Sequence, residues 1–240
     1  MTSCARSSAT SISRTRAWIS STVERDHVEV EKRLLDEALT RGAVALDAGC
    51  GRTTRLRNFR DRISRLVGVD VDEAAGRENP YLDEFAFADL ADPLPFDDAV
   101  FDLVYANFVV EHLEEPEGTF TEWRRVLQPK GRLVLLTTNR ASPLMLAADR
   151  TPERVRLLIK RRGAGAVERD VFPTRYRANT PARLAEVTRG AGFEPVSVNY
   201  VGTLHRYGAK LPPLAWVLGG AERLLPEQRR STIVASYRPA

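Results

Sequence analysis

The stretch Val44-Ala45-Leu46-Asp47-Ala48-Gly49-Cys50-Gly51 decides the fold. An apolar run ending in Asp-x-Gly-x-Gly predicts a buried parallel strand that turns tightly through small residues at its carboxyl end. There the backbone N–H groups and the amino end of the next helix can meet a ligand closely. Downstream, Leu66-Val67-Gly68-Val69-Asp70 predicts a second strand tipped with an acid. Asp70 stands about 20 residues beyond the glycines, the spacing at which a strand-end carboxylate accepts both hydroxyls of a ribose. An adenosine-type cofactor is the ligand these two strands imply.

Residue type narrows that ligand. Gly49 and Gly51 match the first two glycines of the dinucleotide pattern G-x-G-x-x-G, but Thr54 stands at the third position, which weakens a pyrophosphate reading. Asp47 puts negative charge near the place a diphosphate would occupy, whereas the same charge attracts an ammonium or sulfonium group. S-Adenosylmethionine carries both cations and no phosphate. The competing reading makes Asp47 a cap on a helix over 52–60 and the glycines a plain turn.

Working outward, Phe85-Ala86-Phe87-Ala88-Asp89-Leu90 predicts a third strand ending in an acid, followed by a turn over 93–98. A fourth strand is expected over 101–107, and Glu111-His112-Leu113 opens the next connection. A helix over 120–127 and a strand after Pro129-Lys130-Gly131 complete the alternation.

On these residues, the stretch 44–138 resembles the class I S-adenosylmethionine-dependent methyltransferases, in particular the small-molecule enzymes related to the ubiquinone-biosynthesis type. The resemblance implies an α/β, Rossmann-like fold. Its seven-stranded, mostly parallel sheet would carry helices on both faces, a closing antiparallel hairpin and helical lid insertions. It also implies S-adenosyl-L-methionine as cofactor, with Asp47, Gly49 and Gly51 lining the methionine end and Asp70 binding the ribose. Asp89 would then accept from the adenine N6 amine, the Leu90 N–H would face an adenine ring nitrogen, and Asn107 would border the methionine moiety and the substrate mouth. Two departures stand out: Thr53 occupies a position where members often have glycine, and 72–83 is short and bears Pro and Gly where many members have a full helix.

Outside that stretch, 22–41 predicts a surface helix with Val28, Val30, Leu34, Leu35 and Leu39 at helical spacing, ended by Gly42. After the fifth strand, 139–180 breaks the rhythm and is where acceptor-specific parts are expected, including a helix over 152–162. Thr180 and Pro181 read as the cap and first position of a helix over 181–190. The last two strands, 195–201 and 232–237, are separated by a helical stretch over 211–225. The expected organisation is a disordered leader over 1–20 and a single domain over 21–240. That domain divides into a cofactor-binding core over 44–138, a lid and substrate region over 139–180 and a helical insertion over 203–230.

Composition sets bounds on function. With 240 residues, 43% of them hydrophobic and 28% charged, the chain suits one folded domain with a substantial core. The net charge of +4 comes mainly from arginine, with lysine at positions 32, 130, 160 and 210 only. Coding bias accounts for that as readily as a polyanionic partner does. Nucleic acid is therefore not an expected partner, and Asn107-Phe108-Val109-Val110 lacks the prolines of the Asn/Asp-Pro-Pro-aromatic tetrad that holds a base amine. Cys4 and Cys50 cannot form a disulfide framework, which fits a reducing, cytoplasmic setting. The leader is rich in Ser, Thr and Arg like an organelle transit segment, but lacks an amphipathic repeat. No apolar run approaches the roughly 20 residues of a membrane span, so a soluble protein is expected. The basic amphipathic stretch over 154–162 fits a lid helix better than a peripheral membrane contact.

A sulfonium is already an activated methyl donor, so such a site mainly orients the acceptor and excludes water. A base is needed for an alcohol or phenol, and His112, five residues past Asn107, is the candidate; the competing reading bonds its ring to a backbone carbonyl. His27 and His205 stand in weak contexts. Arg175, Tyr176 and Arg177 are candidates for clamping an acidic or sugar-like acceptor. No compact set of Asp, Glu, His or Asn suggests a metal. The expected function is methyl transfer to a small molecule, at oxygen, with saccharide or lipid-linked acceptors in view. The rivals are a catalytically silent cofactor-binding partner protein and a nucleic acid methyltransferase.

Overall fold

β1 (Ala43–Ala48) lies at the centre of the sheet because it is short, apolar and free of charge until Asp47. Its neighbours are β2 (Ile63–Asp70) on one side and β4 (Phe101–Asn107) on the other, both parallel. Beyond them lie β3 (Glu84–Phe87), β5 (Leu127–Thr138), β6 (Phe193–Val201) and β7 (Thr232–Pro239), in the sheet order β3-β2-β1-β4-β5-β7-β6. β7 runs antiparallel to both β5 and β6, which gives the closing hairpin expected from sequence. The computed structural model describes residues 25–150, 172–203 and 212–240. The leader over 1–20, Cys4, the stretch 152–162 and His205 lie outside the described residues.

Alternating side chains feed two cores. On one face Leu46, Ala48, Val104, Ala106 and Leu135 pack against Phe120 and Trp123 of α3 (Pro116–Val126) and Leu184 and Val187 of α5 (Pro181–Gly190). On the other, Ala43, Ala45, Leu103, Tyr105 and Val134 pack against Leu34, Leu35 and Leu39, the first two of which lie on α1 (Arg25–Ala38). Parallel strands buried on both faces need such two-sided cover. The chain leaves β1 toward β2 and β3 on one side and toward β4 on the other, so a crevice opens at the carboxyl ends of β1 and β4.

Three local expectations are corrected. The helix expected over 52–60 is a short 3-10 turn, Arg55–Phe59, capped by the Thr54 hydroxyl on the Leu56 N–H at 3.1 Å. The chain must re-enter the sheet at Ile63, and two β-branched threonines precede the turn, so a full helix has no room. β3 ends at Phe87, which leaves Asp89 and Leu90 in the loop beyond it. α3 begins at Pro116, four residues before the predicted start, because proline is well suited to a first helical turn. The shortness of 72–83 holds: α2 (Glu73–Arg77) is a single turn capped by Asp72. Completing the order, α4 (Pro143–Asp149) follows β5, and α6 (Pro212–Leu224) fills the connection between β6 and β7.

Candidate cofactor and acceptor site

The loop after β1 is held by β2. Gly49 and Gly51 take φ of +78° and +49°, a region open mainly to glycine. A Cβ on Gly49 would lie 2.4 Å from Val109 Cγ2, so the loop also meets the turn after β4 without a spacer. The Gly49 and Cys50 N–H groups donate to the Val69 carbonyl at 2.8 and 3.1 Å, and the Gly51 N–H donates to Asp70 Oδ2 at 2.8 Å. All three turn amides are thus consumed within the protein. The expectation that these N–H groups and a following helix end meet the ligand is corrected, and with it goes the donor cradle a pyrophosphate would need.

Acceptors remain. Asp47 is 2% exposed, hydrogen-bonded to the Thr54 hydroxyl, and burial pushes its carboxyl up to about 7, with the charges of Asp70 and Glu31 adding to the effect. The competing cap reading is met only indirectly: Thr54 caps the 3-10 turn and Asp47 holds Thr54. Asp70 also accepts from the Asp72 N–H at 2.9 Å, and a carboxylate with two bonds made keeps further lone pairs. At the end of β4, Asn107 Oδ1 is buried without a hydrogen-bond partner. Phe108 follows at φ +55°, a costly conformation for a bulky residue. Burial and neighbouring Asp47 and Asp70 push the Cys50 thiol well up, so it is an inert packing group.

Asp89 is exposed and accepts from the Ala91 N–H at 2.9 Å. Leu90 is buried, and its carbonyl takes the Thr119 hydroxyl at 2.9 Å, which fixes this loop to α3. The Leu90 N–H meets no acceptor among the described residues.

On the acceptor side, Glu111 is a buried anchor. Its carboxylate accepts from Thr137 at 2.8 Å and Thr138 at 3.1 Å, and burial raises its pKa. Its backbone carbonyl accepts the N–H groups of Arg175 and Tyr176 at 2.7 and 3.0 Å, clipping the strap 172–178 onto the turn after β4. Asn179 Nδ2 reaches Thr137 Oγ1 at 2.6 Å, which closes the network. His112 Nδ1 lies 3.2 Å from the Pro173 carbonyl, with the Phe172 ring edge-on to the imidazole. A carbonyl only accepts, so Nδ1 holds the proton of the neutral ring and Nε2 keeps its lone pair.

The three acceptor candidates part company. Arg175 pairs with Glu114, and Tyr176 carries the Arg140 guanidinium 4.5 Å above its ring. Arg177 is exposed and its side chain makes no hydrogen bond or ion pair among the described residues. Sequence reading missed Glu31, which is 3% exposed and accepts from the Tyr105 hydroxyl and from Arg55. Its phase with Leu34 and Leu35, three and four residues on, was the available signal. The described residues hold no group of three or more His, Cys, Asp or Glu suited to a metal ion, and no helix among them is long and apolar enough to cross a membrane.

Residues 46–135 match the methyltransferase domain family. Over 135 residues it is 31% identical to a malonyl-[acyl-carrier protein] O-methyltransferase of Enterobacter lignolyticus, covering 53% of this chain and 50% of that protein. It is 34% identical over 139 residues to a ubiquinone/menaquinone biosynthesis C-methyltransferase of Bordetella avium, covering 56% and 52%. The chain thus spans about half the length of these curated relatives. Among solved structures, geranyl diphosphate C-methyltransferase of Streptomyces coelicolor, in complex with Mg2+, geranyl diphosphate and S-adenosyl-L-homocysteine, superposes with a TM-score of 0.62 at 14% identity, covering 94% of this chain and 85% of that one. That likeness speaks for the fold.

Proposed function

We propose that this protein transfers the methyl group of S-adenosylmethionine to an oxygen of a small-molecule acceptor. The observation that carries the reading is the balance of the crevice. Every amide of the glycine turn is spent internally, while Asp47, Asp70 and the orphaned Asn107 Oδ1 gather acceptors at the ends of β1, β2 and β4. Such a set suits a cationic, phosphate-free nucleoside. Bound there, S-adenosylmethionine supplies a methyl group on positively charged sulfur.

The residues of the chain then have separate tasks. Asp70 accepts from the ribose, Asp89 and the Leu90 N–H meet the adenine, and Asp47 with Asn107 receives the methionine end. His112 Nε2 takes the proton of the acceptor hydroxyl, its orientation set by the Pro173 carbonyl on the other nitrogen. The strap 172–178 shields the reacting atoms from water, and Arg177 offers its charge to an acidic or saccharide acceptor. In this reading the described parts of 139–180, residues 139–150 and 172–180, belong to the acceptor region.

Incubation with isotopically labelled cofactor and candidate metabolites, followed by mass spectrometry, tests the reading directly: a labelled methyl on a product oxygen is expected. Asp70→Ala should weaken cofactor binding by about 1–3 kcal/mol, through loss of a charged acceptor. His112→Ala should lower kcat with the cofactor Kd unchanged, and a wild-type rate would return His112 to the scaffold. The O-methyltransferase relatives named for a carrier-bound malonyl group favour a second acceptor, a carrier-bound carboxylate. That group is already ionised, so its methylation would survive His112→Ala.

A further inference from the structure

α1 brings a carboxylate to the site from outside the stretch that matches the family. Glu31 lies at the buried side of α1 beside Leu34 and Leu35. The Tyr105 hydroxyl donates to Glu31 Oε1, and Arg55 Nη1 donates to Oε2 at 3.0 Å. Tyr105 is the register partner of Asp47 on the adjacent strand, so the two side chains leave the same face of the sheet side by side. Asp47, Asp70 and Glu31 therefore form one electrostatic group, with the Arg55 guanidinium against Glu31. The excess negative charge sits where water cannot screen it.

The other side chains beside Asp47 add no charge. Thr54 gives Asp47 a hydroxyl, and the Cys50 thiol is neutral. On α1, buried His27 stands one turn before Glu31, while Lys32 and Asp36 line, with Glu31 and Arg55, a separate cleft between α1 and the 3-10 turn. Asp36 is paired with Arg62 at 3.0 Å, and Asp61 lies at the far rim. β5 and β7 offer α1 apolar side chains, Val134, Leu136 and Val234.

We propose that Glu31 is a third acid of the cofactor site and sets its preference for the cationic donor S-adenosylmethionine over the product S-adenosylhomocysteine, whose sulfur is neutral. The proposal rests on the cofactor reading above. Glu31 acts through its charge and not by touching the ligand. In the free protein a proton held on Asp47 or Glu31 relieves the excess charge, consistent with the raised carboxyls of both. A sulfonium relieves it in the loaded protein. Affinity for the donor therefore rises with pH through neutrality, affinity for the product much less so, and the spent cofactor leaves a site that no longer favours it.

Titration calorimetry of both ligands with the full chain, between pH 6 and 8, tests this. Glu31→Gln keeps an oxygen for the Tyr105 hydroxyl but removes the charge. It should weaken S-adenosylmethionine about three- to tenfold and S-adenosylhomocysteine less than about twofold. The midpoint of the pH dependence should fall by roughly half a unit, because Asp47 loses a like-charged neighbour. Should Glu31→Gln fail to fold, Arg55→Gln probes the same group with opposite sign, raising the preference for the charged ligand. Equal losses for both ligands, with an unmoved midpoint, would mark Glu31 as a structural group and overturn the proposal. A wild-type protein that binds neither ligand overturns the cofactor reading and this proposal together, whereas binding of both with a ratio unmoved in either variant overturns the proposal alone.

Discussion

Gly49 and Asp47 show how two neighbouring residues answer to different physics. Gly49→Ala places a methyl group at positive φ and into Val109, so it should cost about 1–3 kcal/mol in denaturant unfolding and abolish cofactor binding. Adding Val109→Ala relieves the overlap but not the backbone strain, and should recover only part of the loss. Asp47 presents the reverse case, a residue that harms the free fold. An acid whose folded pKa is raised from 3.8 to about 7 contributes stability that is complete below the lower value and lost as pH climbs through the upper one. Asp47→Asn should therefore stabilise the ligand-free protein at pH 8, by roughly 1–3 kcal/mol, while weakening its hold on the cofactor. Thermal melts with and without ligand read both effects. That Asp47 stands at the carboxyl end of β1, just before two glycines, was legible. Its link to Glu31 was not, since a glutamate in a charged helix looks the same in sequence whether it faces water or a strand.

At the scale of elements, the strap 172–178 matters most. Its Phe172 and Pro173 are exposed and Ala178 is buried in the core, while its remaining grip is polar: two N–H groups on the Glu111 carbonyl and one carbonyl on His112. Glu111 itself depends on Thr137, whose hydroxyl also receives Asn179. Thr137→Val leaves a buried carboxylate short of a donor, at a cost of about 1–3 kcal/mol. Faster limited proteolysis within 172–178 and a lower kcat, at unchanged cofactor Kd, are the expected results; unchanged cleavage would show that the strap is held without this network. The strands were readable because burst, glycine and acid recur at fixed phase. The polar clasp was not, because Glu111, Thr137 and Asn179 meet only after β4 and β5 pair and the chain returns from its excursion after β5. The 3-10 turn escaped for a related reason: the room left between two strands is a property of the sheet and not of the residues in between.

The whole molecule carries several buried carboxyls, Glu31, Asp47 and Glu111, all raised by burial. Each binds its proton more tightly folded than unfolded, so together they erode stability as pH rises from about 4 toward 8. The lowered carboxyls of Asp83 and Glu122 act oppositely, but they are ion-paired near the surface, where solvent weakens the effect. The ligand-free protein should melt highest in mildly acidic buffer and lower at pH 8, and saturating S-adenosylmethionine should flatten that decline. A melting curve that rises steadily to pH 8 would contradict it. The α/β fold class and the crevice at the carboxyl ends of the strands followed from alternation and two acid-tipped strands, whereas the strand order came only with the structure; what the acceptor is depends on parts of the chain where no such rhythm exists.

Val109 fills the space left by the missing side chain of Gly49, and two residues later Glu111 carries the strap. On the proposed reading, donor compartment and acceptor gate would be joined by a linkage only a few bonds long, with no soft spacer to absorb a shift. Filling the first compartment would then stiffen the hinge post of the second. The arrangement favours an obligatory order of arrival, methyl donor before acceptor, which product-inhibition patterns would reveal as competition between the two forms of the cofactor alone.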